Sequence, residues 1–234
     1  MVKNSYKNMI STIWERIGIQ VNDWDRLLVY KFRENTHDGG HFCDVGACNG
    51  IFTHLFKNIS GSNGKVYSFE LNPINYQNII WMQDDNCTIE NMAIANISGE
   101  IDFFSDSEGR PGDHTSNIVG CDTAYRKMKK IGSVKSITLD DYFKDRKLDY
   151  LKIDVEGAEY DVICGGLETI KKCKYVIIEC HFKNDWEKIF NFLKVNNLNF
   201  KNLTDDVPIF FGETTEIPGI ANNGMPYQIY LKND

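Results

Sequence analysis

Carboxylates recur where apolar runs of this chain end. Asp44 precedes the turn Gly46-Ala47-Cys48-Asn49-Gly50, Glu70 closes the run Lys65–Glu70, Asp154 closes Tyr150–Asp154, and Glu179 stands two residues before His181. A turn opened by Gly46 can take a backbone conformation closed to other residues, and Gly50 lets the next helix start close to its strand. Between them the main-chain N–H groups can approach a ligand, and a carboxylate such as Glu70 can accept both hydroxyls of a ribose. Together they point to an adenosine-containing cofactor. A dinucleotide site wants G-x-G-x-x-G to seat a pyrophosphate. Here the glycines stand at 46 and 50, and Asp44 would repel phosphate. It would attract a cation instead, such as the α-amino group of S-adenosylmethionine, which favours that cofactor over NAD.

Candidate catalytic groups follow from strand alternation. Lys152, Asp154 and Glu156 share one side if the chain stays extended, and so do Glu179 and His181. Lys152 and Glu179 also read as a buried ion pair organising a sheet. Glu156 and Glu159 also read as caps on the next helix, where carboxylates complement exposed N–H groups. Asp154 is costly at the end of a buried strand unless it meets a cation, water or ligand. His181 is the natural base, since an unperturbed imidazole accepts a proton near pKa ~6.5. The expected catalytic set is therefore Asp154, His181, Glu179 and Glu156. Magnesium needs several oxygen ligands. No second and third carboxylate lie in register with Asp154, so no metal is expected.

The elements that must position these residues alternate strand and helix. Phe42–Val45, Lys65–Glu70, Cys87–Asn91, Tyr150–Asp154 and Tyr175–His181 read as core strands. Helices are expected over 51–58, 73–82, 159–171 and 185–195, with extra strands over 101–104 and 134–139. Pro208–Phe211 and Tyr227–Leu231 read as a closing strand pair. The spacing predicts an α/β, Rossmann-like, doubly wound and mostly parallel sheet of about seven strands with a terminal antiparallel hairpin. Ligands in such sheets bind at the carboxyl ends of the strands. Two amphipathic helices over 4–17 and 23–32 suggest a helical cap, residues 1–38, ahead of a cofactor-binding domain, residues 39–234.

In order along the chain, Asp44-Val45-Gly46-Ala47 with Gly50 and Thr53, Phe69-Glu70 with Asn72-Pro73, Asn91-Met92-Ala93 and Thr115-Ser116-Asn117 form a graded series of motifs. Leu139-Asp140-Asp141, the specific stretch Lys152-Ile153-Asp154-Val155-Glu156-Gly157-Ala158-Glu159 and Ile178-Glu179-Cys180-His181 complete it. Across roughly residues 41–182 the sequence resembles the FkbM family of S-adenosylmethionine-dependent methyltransferases. Cys48 stands where the family usually has Asn, and Leu71 where Pro is common. The turn and the resemblance together imply cofactor contacts from Asp44, Gly46, Ala47, Asn49, Gly50, Thr53, Glu70, Leu71, Met92, Ala93, Ser116 and Asp154. The resemblance implies O-methylation of a hydroxyl, often on a sugar. A non-sugar hydroxyl or nitrogen acceptor, or a non-catalytic cofactor-binding subunit, are the competing expectations.

Composition narrows the setting. The chain has 234 residues, 42% hydrophobic and 25% charged, with a net charge of −7. That excludes disordered, collagenous and coiled-coil classes, and disfavours nucleic acid or anionic membranes as partners. Apolar runs such as Tyr175–Ile178 fall far short of the ~20 residues of a membrane span. Residues 1–20 contain no unbroken apolar run, so no secretion leader is expected there. Seven cysteines without a C-x-x-C pair suit a reducing compartment, so a cytoplasmic enzyme acting on a small molecule or carbohydrate is expected. The basic run Arg126, Lys127, Lys129 and Lys130 reads as a solvated helix face, or as a grip on an anionic substrate such as a nucleotide-sugar.

Overall fold

A computed structural model describes residues 36–106, 115–120, 127–180, 183–198, 200–202 and 227–232. Residues 38–234 form a unit of their own. The predicted helices over 4–17 and 23–32 lie outside the described residues, as do Arg126, His181 and the predicted strand 208–211.

Five parallel strands make the centre. They are β1 (His41–Val45), β2 (Lys65–Phe69), β3 (Cys87–Glu90), β7 (Tyr150–Ile153) and β8 (Tyr175–Cys180). Tyr150–Ile153 is buried throughout, and Tyr175–Cys180 nearly so. That continuous burial is expected of parallel strands covered on both faces. The sheet order β3-β2-β1-β7-β8 continues into β10 (Tyr227–Lys232) and then β9 (Phe200–Asn202). β10 runs antiparallel to β8, and β9 antiparallel to β10. Strand 227–232 thus pairs with Tyr175–Cys180 on one edge and with Phe200–Asn202 on the other. A three-residue strand carries too little alternation to be read from sequence.

A second sheet packs β6 (Lys129–Ile137) between β4 (Ala93–Ile94) and β5 (Gly99–Ser105). Lys129 and Lys130 therefore lie exposed on a strand, not on a helix, and Lys130 pairs with Asp102 at 2.7 Å. Val134 and Ser136 alternate inward, while Lys129 and Lys130 stand exposed at the start of the strand.

Helices α1 (Ile51–Ser60) and α2 (Pro73–Ile79) follow β1 and β2. Asn72 opens α2: its Oδ1 accepts from Ile74 N at 2.9 Å, and Pro73 supplies a preset φ at the first helical position. A short helix α3 (Leu139–Tyr142), capped by Thr138, precedes β7. The predicted helix 159–171 is two helices, α4 (Glu159–Cys164) and α5 (Leu167–Lys172). The break falls at Gly165-Gly166, where a Cβ would lie 2.3 Å from Ala95 O and 2.7 Å from Leu139 Cδ1 respectively. Close packing on neighbouring segments interrupts the helix there. α6 (Lys183–Val195) closes this face, with Ile189 and Leu193 against the core of Leu151, Ile153, Val176 and Ile178. Among the described residues no helix is long and apolar enough to cross a membrane.

Strand order reverses direction between β1 and β7, which makes their carboxyl ends the switch point of the sheet. Val45 is in register with both Phe69 and Ile153. The next residue on each strand, Gly46, Glu70 and Asp154, therefore reaches one edge together.

Candidate active site

Gly46 turns the chain at φ 83°, and its N–H and that of Ala47 both reach Phe69 O at 3.0 Å. A Cβ at position 46 would lie 1.8 Å from Asp154 O. The residue is thus required twice, for the left-handed backbone and for the crossing of β7. Cys48 also takes a left-handed conformation, φ 48°. Its N–H points back to Glu70 Oε2 at 2.6 Å. Asn49 is exposed, and its Oδ1 accepts from Ile51 N at 3.3 Å, opening α1 rather than facing a ligand. Gly50, φ 79°, is packed against Ile79 and Met82.

Glu70 is the pivot. It is only 5% exposed, and its two oxygens accept from Cys48 N and Asn72 N, the latter at 2.8 Å. Burial pushes its carboxyl up to about 7, against the pull of those two N–H groups. Asn91 Nδ2 holds the carbonyls of Glu70 and Leu71 at 2.8 and 3.1 Å. Asn72 Nδ2 reaches Ser116 Oγ at 3.2 Å, which ties the β2 exit to the Thr115–Asn117 loop.

Asp44 does not face this edge. It is wholly buried behind the turn, where Oδ2 accepts from Thr53 Oγ1 at 2.8 Å and Oδ1 lies 3.2 Å from Lys152 Nζ. Burial raises its carboxyl, and Lys152 and Thr53 oppose that rise. Lys152, 3% exposed, also donates to Gly46 O at 2.9 Å and lies 3.3 Å from Asp154 Oδ2. The nearby Asp154, Asp44 and Glu179 carboxylates hold its ammonium well above the usual lysine range, against burial. Asp44 and Lys152 are register partners across β1 and β7. The expected grip of Asp44 on an amino group is thereby corrected: its neighbour in the sheet supplies the cation. Thr53 is likewise buried, bonded to Asp44 and to Ser68.

A cleft of about 600 Å³, open mouth included, is lined by Val45, Gly46, Cys48, Phe69, Glu70, Leu71, Met92, Ala93, Ile94, Ser116, Ile118, Asp154, Val155, Glu156 and Ala158. Of the expected contacts it brings together Gly46, Glu70, Leu71, Met92, Ala93, Ser116 and Asp154, with Glu156 beside them. Asp44, Ala47, Asn49, Gly50 and Thr53 support the turn from outside the lining. Glu179, half-buried on β8, is also outside it. Glu159 is fully buried, and its Oε1 accepts from Val155 N and Gly157 N at 3.3 and 3.0 Å. It staples the loop after β7, which carries Glu156 at φ 56°. Val45, Cys48, Phe69, Ile94, Ile118, Val155 and Ala158 also line the cleft and were not among the expected contacts. Ile118 was within reach of sequence reasoning, two residues beyond Ser116 on the same loop. Among the described residues no group of three His, Cys, Asp or Glu converges as a metal site.

The cleft has a chemical polarity. One end offers the Glu70 carboxylate beside an apolar slot of Leu71, Met92, Ala93, Ile94 and Ile118, which suits a ribose and a flat base. The other offers Asp154 and Glu156, which suit hydroxyl donors. The ribose reading makes a pH prediction. A diol donates to an ionised carboxylate, so affinity for S-adenosylhomocysteine should rise with pH through about 7. The sign for the free protein is opposite. A carboxyl raised from 4.5 to about 7 contributes stability that is present below the lower value and lost as pH rises through the higher. Calorimetric titration at pH 6 and 8.5 should show the rise in wild type and a flat profile in Glu70→Gln. The variant should bind roughly tenfold to a hundredfold more weakly at the higher pH.

The Methyltransferase FkbM domain profile matches residues 44–202. The 2-O-methyltransferase NoeI of Sinorhizobium fredii is 30% identical over 113 residues, which are 41% of this chain and 44% of that protein. The match thus spans under half of that relative. Solved structures share the fold. The methyltransferase FkbM of Methylobacillus flagellatus superposes with a TM-score of 0.53 at 12% identity, over 87% of this chain and 50% of that one. The precorrin-6y C5,15-methyltransferase of Geobacter metallireducens gives 0.52 at 12%, over 92% and 90%. A Streptococcus mutans protein solved in complex with SAH gives 0.51 at 9%, over 91% and 99%.

Proposed function

The chain belongs to the FkbM methyltransferase family, whose cofactor is S-adenosylmethionine, and on that premise we propose that it transfers a methyl group to a sugar hydroxyl. One observation carries the reading: a single cleft at the β1–β7 switch point presents Glu70 and an apolar slot at one end and Asp154 with Glu156 at the other. The residues fit the cofactor. Glu70 would take the ribose hydroxyls, Leu71, Met92, Ala93 and Ile118 the adenine, and the turn at Gly46 brings main chain close where a side chain would not fit. Bound S-adenosylmethionine supplies an already activated methyl group, so the protein contributes mainly proximity and orientation.

Asp154 is the group that aims the acceptor hydroxyl. It is partly exposed, lines the cleft, and is anchored from behind by Lys152 at 3.3 Å. A sugar hydroxyl must lose its proton on attack, and His181, directly after β8 in the chain, is assigned as the base. Glu179 or Glu156 is assigned to orient its imidazole. The name of the Sinorhizobium relative, a 2-O-methyltransferase, supports oxygen as the acceptor atom. The acidic charge and the seven cysteines without a C-x-x-C pair support a cytoplasmic setting.

The test is formation of S-adenosylhomocysteine with a panel of glycosides, against catechols and amines. Turnover confined to the catechol or amine set would overturn the sugar reading. In the same assay His181→Ala should lower kcat roughly a hundredfold with cofactor affinity unchanged. EDTA should leave the rate unaltered. Inhibition reversed by Mg²⁺ would recast Asp154 as a metal ligand.

A further inference from the structure

Resting on that reading of the cleft's two ends, we propose that Glu159 is a positioning residue for the acceptor: its buried carboxylate presets the loop after β7 in the conformation that presents Asp154 and Glu156. The residue lies behind the cleft rather than in it. It is fully buried and stands outside the lining, whereas Asp154, Val155, Glu156 and Ala158, just before it in the chain, all line the cleft.

Glu156 is the strained point of that loop. It holds φ 56°, and Gly157 follows at φ 111°. A left-handed backbone suits glycine but costs a residue with a Cβ, so it persists only where the surroundings fix it. Glu159 Oε1 supplies that fixing. It accepts from Val155 N at 3.3 Å and from Gly157 N at 3.0 Å, the residues on either side of Glu156. One oxygen thus bridges two N–H groups and closes the chain around the strained residue. The strand side of the loop is pinned as well. Asp154 N donates to Val45 O at 3.1 Å, and Lys152 Nζ lies 3.3 Å from Asp154 Oδ2.

Helix capping does not account for this arrangement. A capping side chain accepts from N–H groups in the first turn of its helix. Glu159 is the first residue of α4, yet its Oε1 takes N–H groups of the loop before it, and Ala158 at the cap position makes no side-chain bond. The two bonds therefore shape the loop. The cofactor end of the cleft has anchors of its own: Glu70 accepts from Cys48 N and Asn72 N, and Asn91 Nδ2 holds Glu70 O. Loss of the Glu159 bridge should accordingly fall on the acceptor and spare the cofactor.

Two variants separate reach from charge. Glu159→Gln keeps an oxygen at the same reach and drops the charge. Glu159→Asp keeps the charge and withdraws the oxygen by one methylene. Each is assayed with the panel of glycosides, catechols and amines, and titrated with S-adenosylhomocysteine by calorimetry. Glu159→Asp should lower kcat/KM for the acceptor roughly tenfold to a hundredfold, since a misplacement of about 1 Å can cost that much. Its affinity for S-adenosylhomocysteine should stay at the wild-type value, and Glu159→Gln should recover most of the lost turnover. Equal losses in the two variants, or cofactor affinity falling in step with turnover, would overturn the proposal and leave Glu159 a part of the fold alone. The ratio of variant to wild type is taken on whichever acceptor class the wild type uses. Turnover confined to catechols or amines would therefore overturn the sugar reading and not this one. Amide exchange tests the bridge without acceptor or variant, so it stands even if Glu159→Asp fails to fold. The N–H groups of Val155 and Gly157 should be protected in the ligand-free wild type, and unprotected amides there would overturn the proposal.

Discussion

Lys152→Met should lower the unfolding free energy by about 3–5 kcal/mol, the usual cost of leaving buried charge uncompensated. Asp44 is wholly buried and Asp154 three-quarters so, and both face this one ammonium. Without it Asp44 keeps only the Thr53 hydroxyl, and Gly46 O loses its side-chain donor. The deficit has a pH signature. Burial already raises the Asp44 carboxyl, and loss of the cation raises it further. The folded variant therefore binds a proton in a range where the unfolded chain does not. Its stability is best preserved below the ordinary carboxylate range and falls as pH rises through the raised value. Chemical denaturation at pH 4.5 and 8 should show the gap from wild type widening with pH. Adding Asp44→Asn to Lys152→Met should recover part of the loss, because it removes the stranded charge. A gap independent of pH would mean that packing, not charge, holds Lys152 in place.

Gly46→Ala carries the second large effect, a loss of about 3 kcal/mol in stability together with cofactor binding. Part is conformational, since φ 83° costs an L side chain roughly 1–2 kcal/mol. The rest is steric, because the new Cβ would lie 1.8 Å from the Asp154 carbonyl, a main-chain atom that cannot swing aside. Relief requires β1 and β7 to part at the edge where Glu70 and Asp154 converge. Gly99→Ala is the control: its φ is 153°, but a Cβ there meets nothing within 4 Å. It should lose only the conformational part. Thermal unfolding of both variants, with calorimetry of S-adenosylhomocysteine, separates the two contributions. Equal losses at both positions would show that the contact with Asp154 relaxes at little cost.

The layout of the site was legible because it depends on local punctuation. Apolar runs of four or five residues closed by Gly46, Glu70 and Asp154 read as buried strands. The parallel alternation then sends all three to one sheet edge. The Gly165-Gly166 pair was also visible, yet the helical pattern around it hid the break, which follows from the approach of Ala95 and Leu139. Those contacts come from segments 27 to 70 residues away, beyond the reach of periodicity. The small second sheet was equally hard to read, since two-residue β4 has no period.

The sequence by itself determined the class of fold, the glycine turn, the carboxylates at the strand ends and the motif order that places the chain in its family. Each is encoded in residue type and short spacing. Only the tertiary structure decided which way those carboxylates serve. Asp44 and Lys152 meet because β1 and β7 pair in that register across 108 residues. A shift by one residue would have turned each to the other face. Register between distant parallel strands is set by the packing of the whole sheet, so it was the assembled sheet that withdrew Asp44 from the cleft and left Glu70, Asp154 and Glu156 to line it.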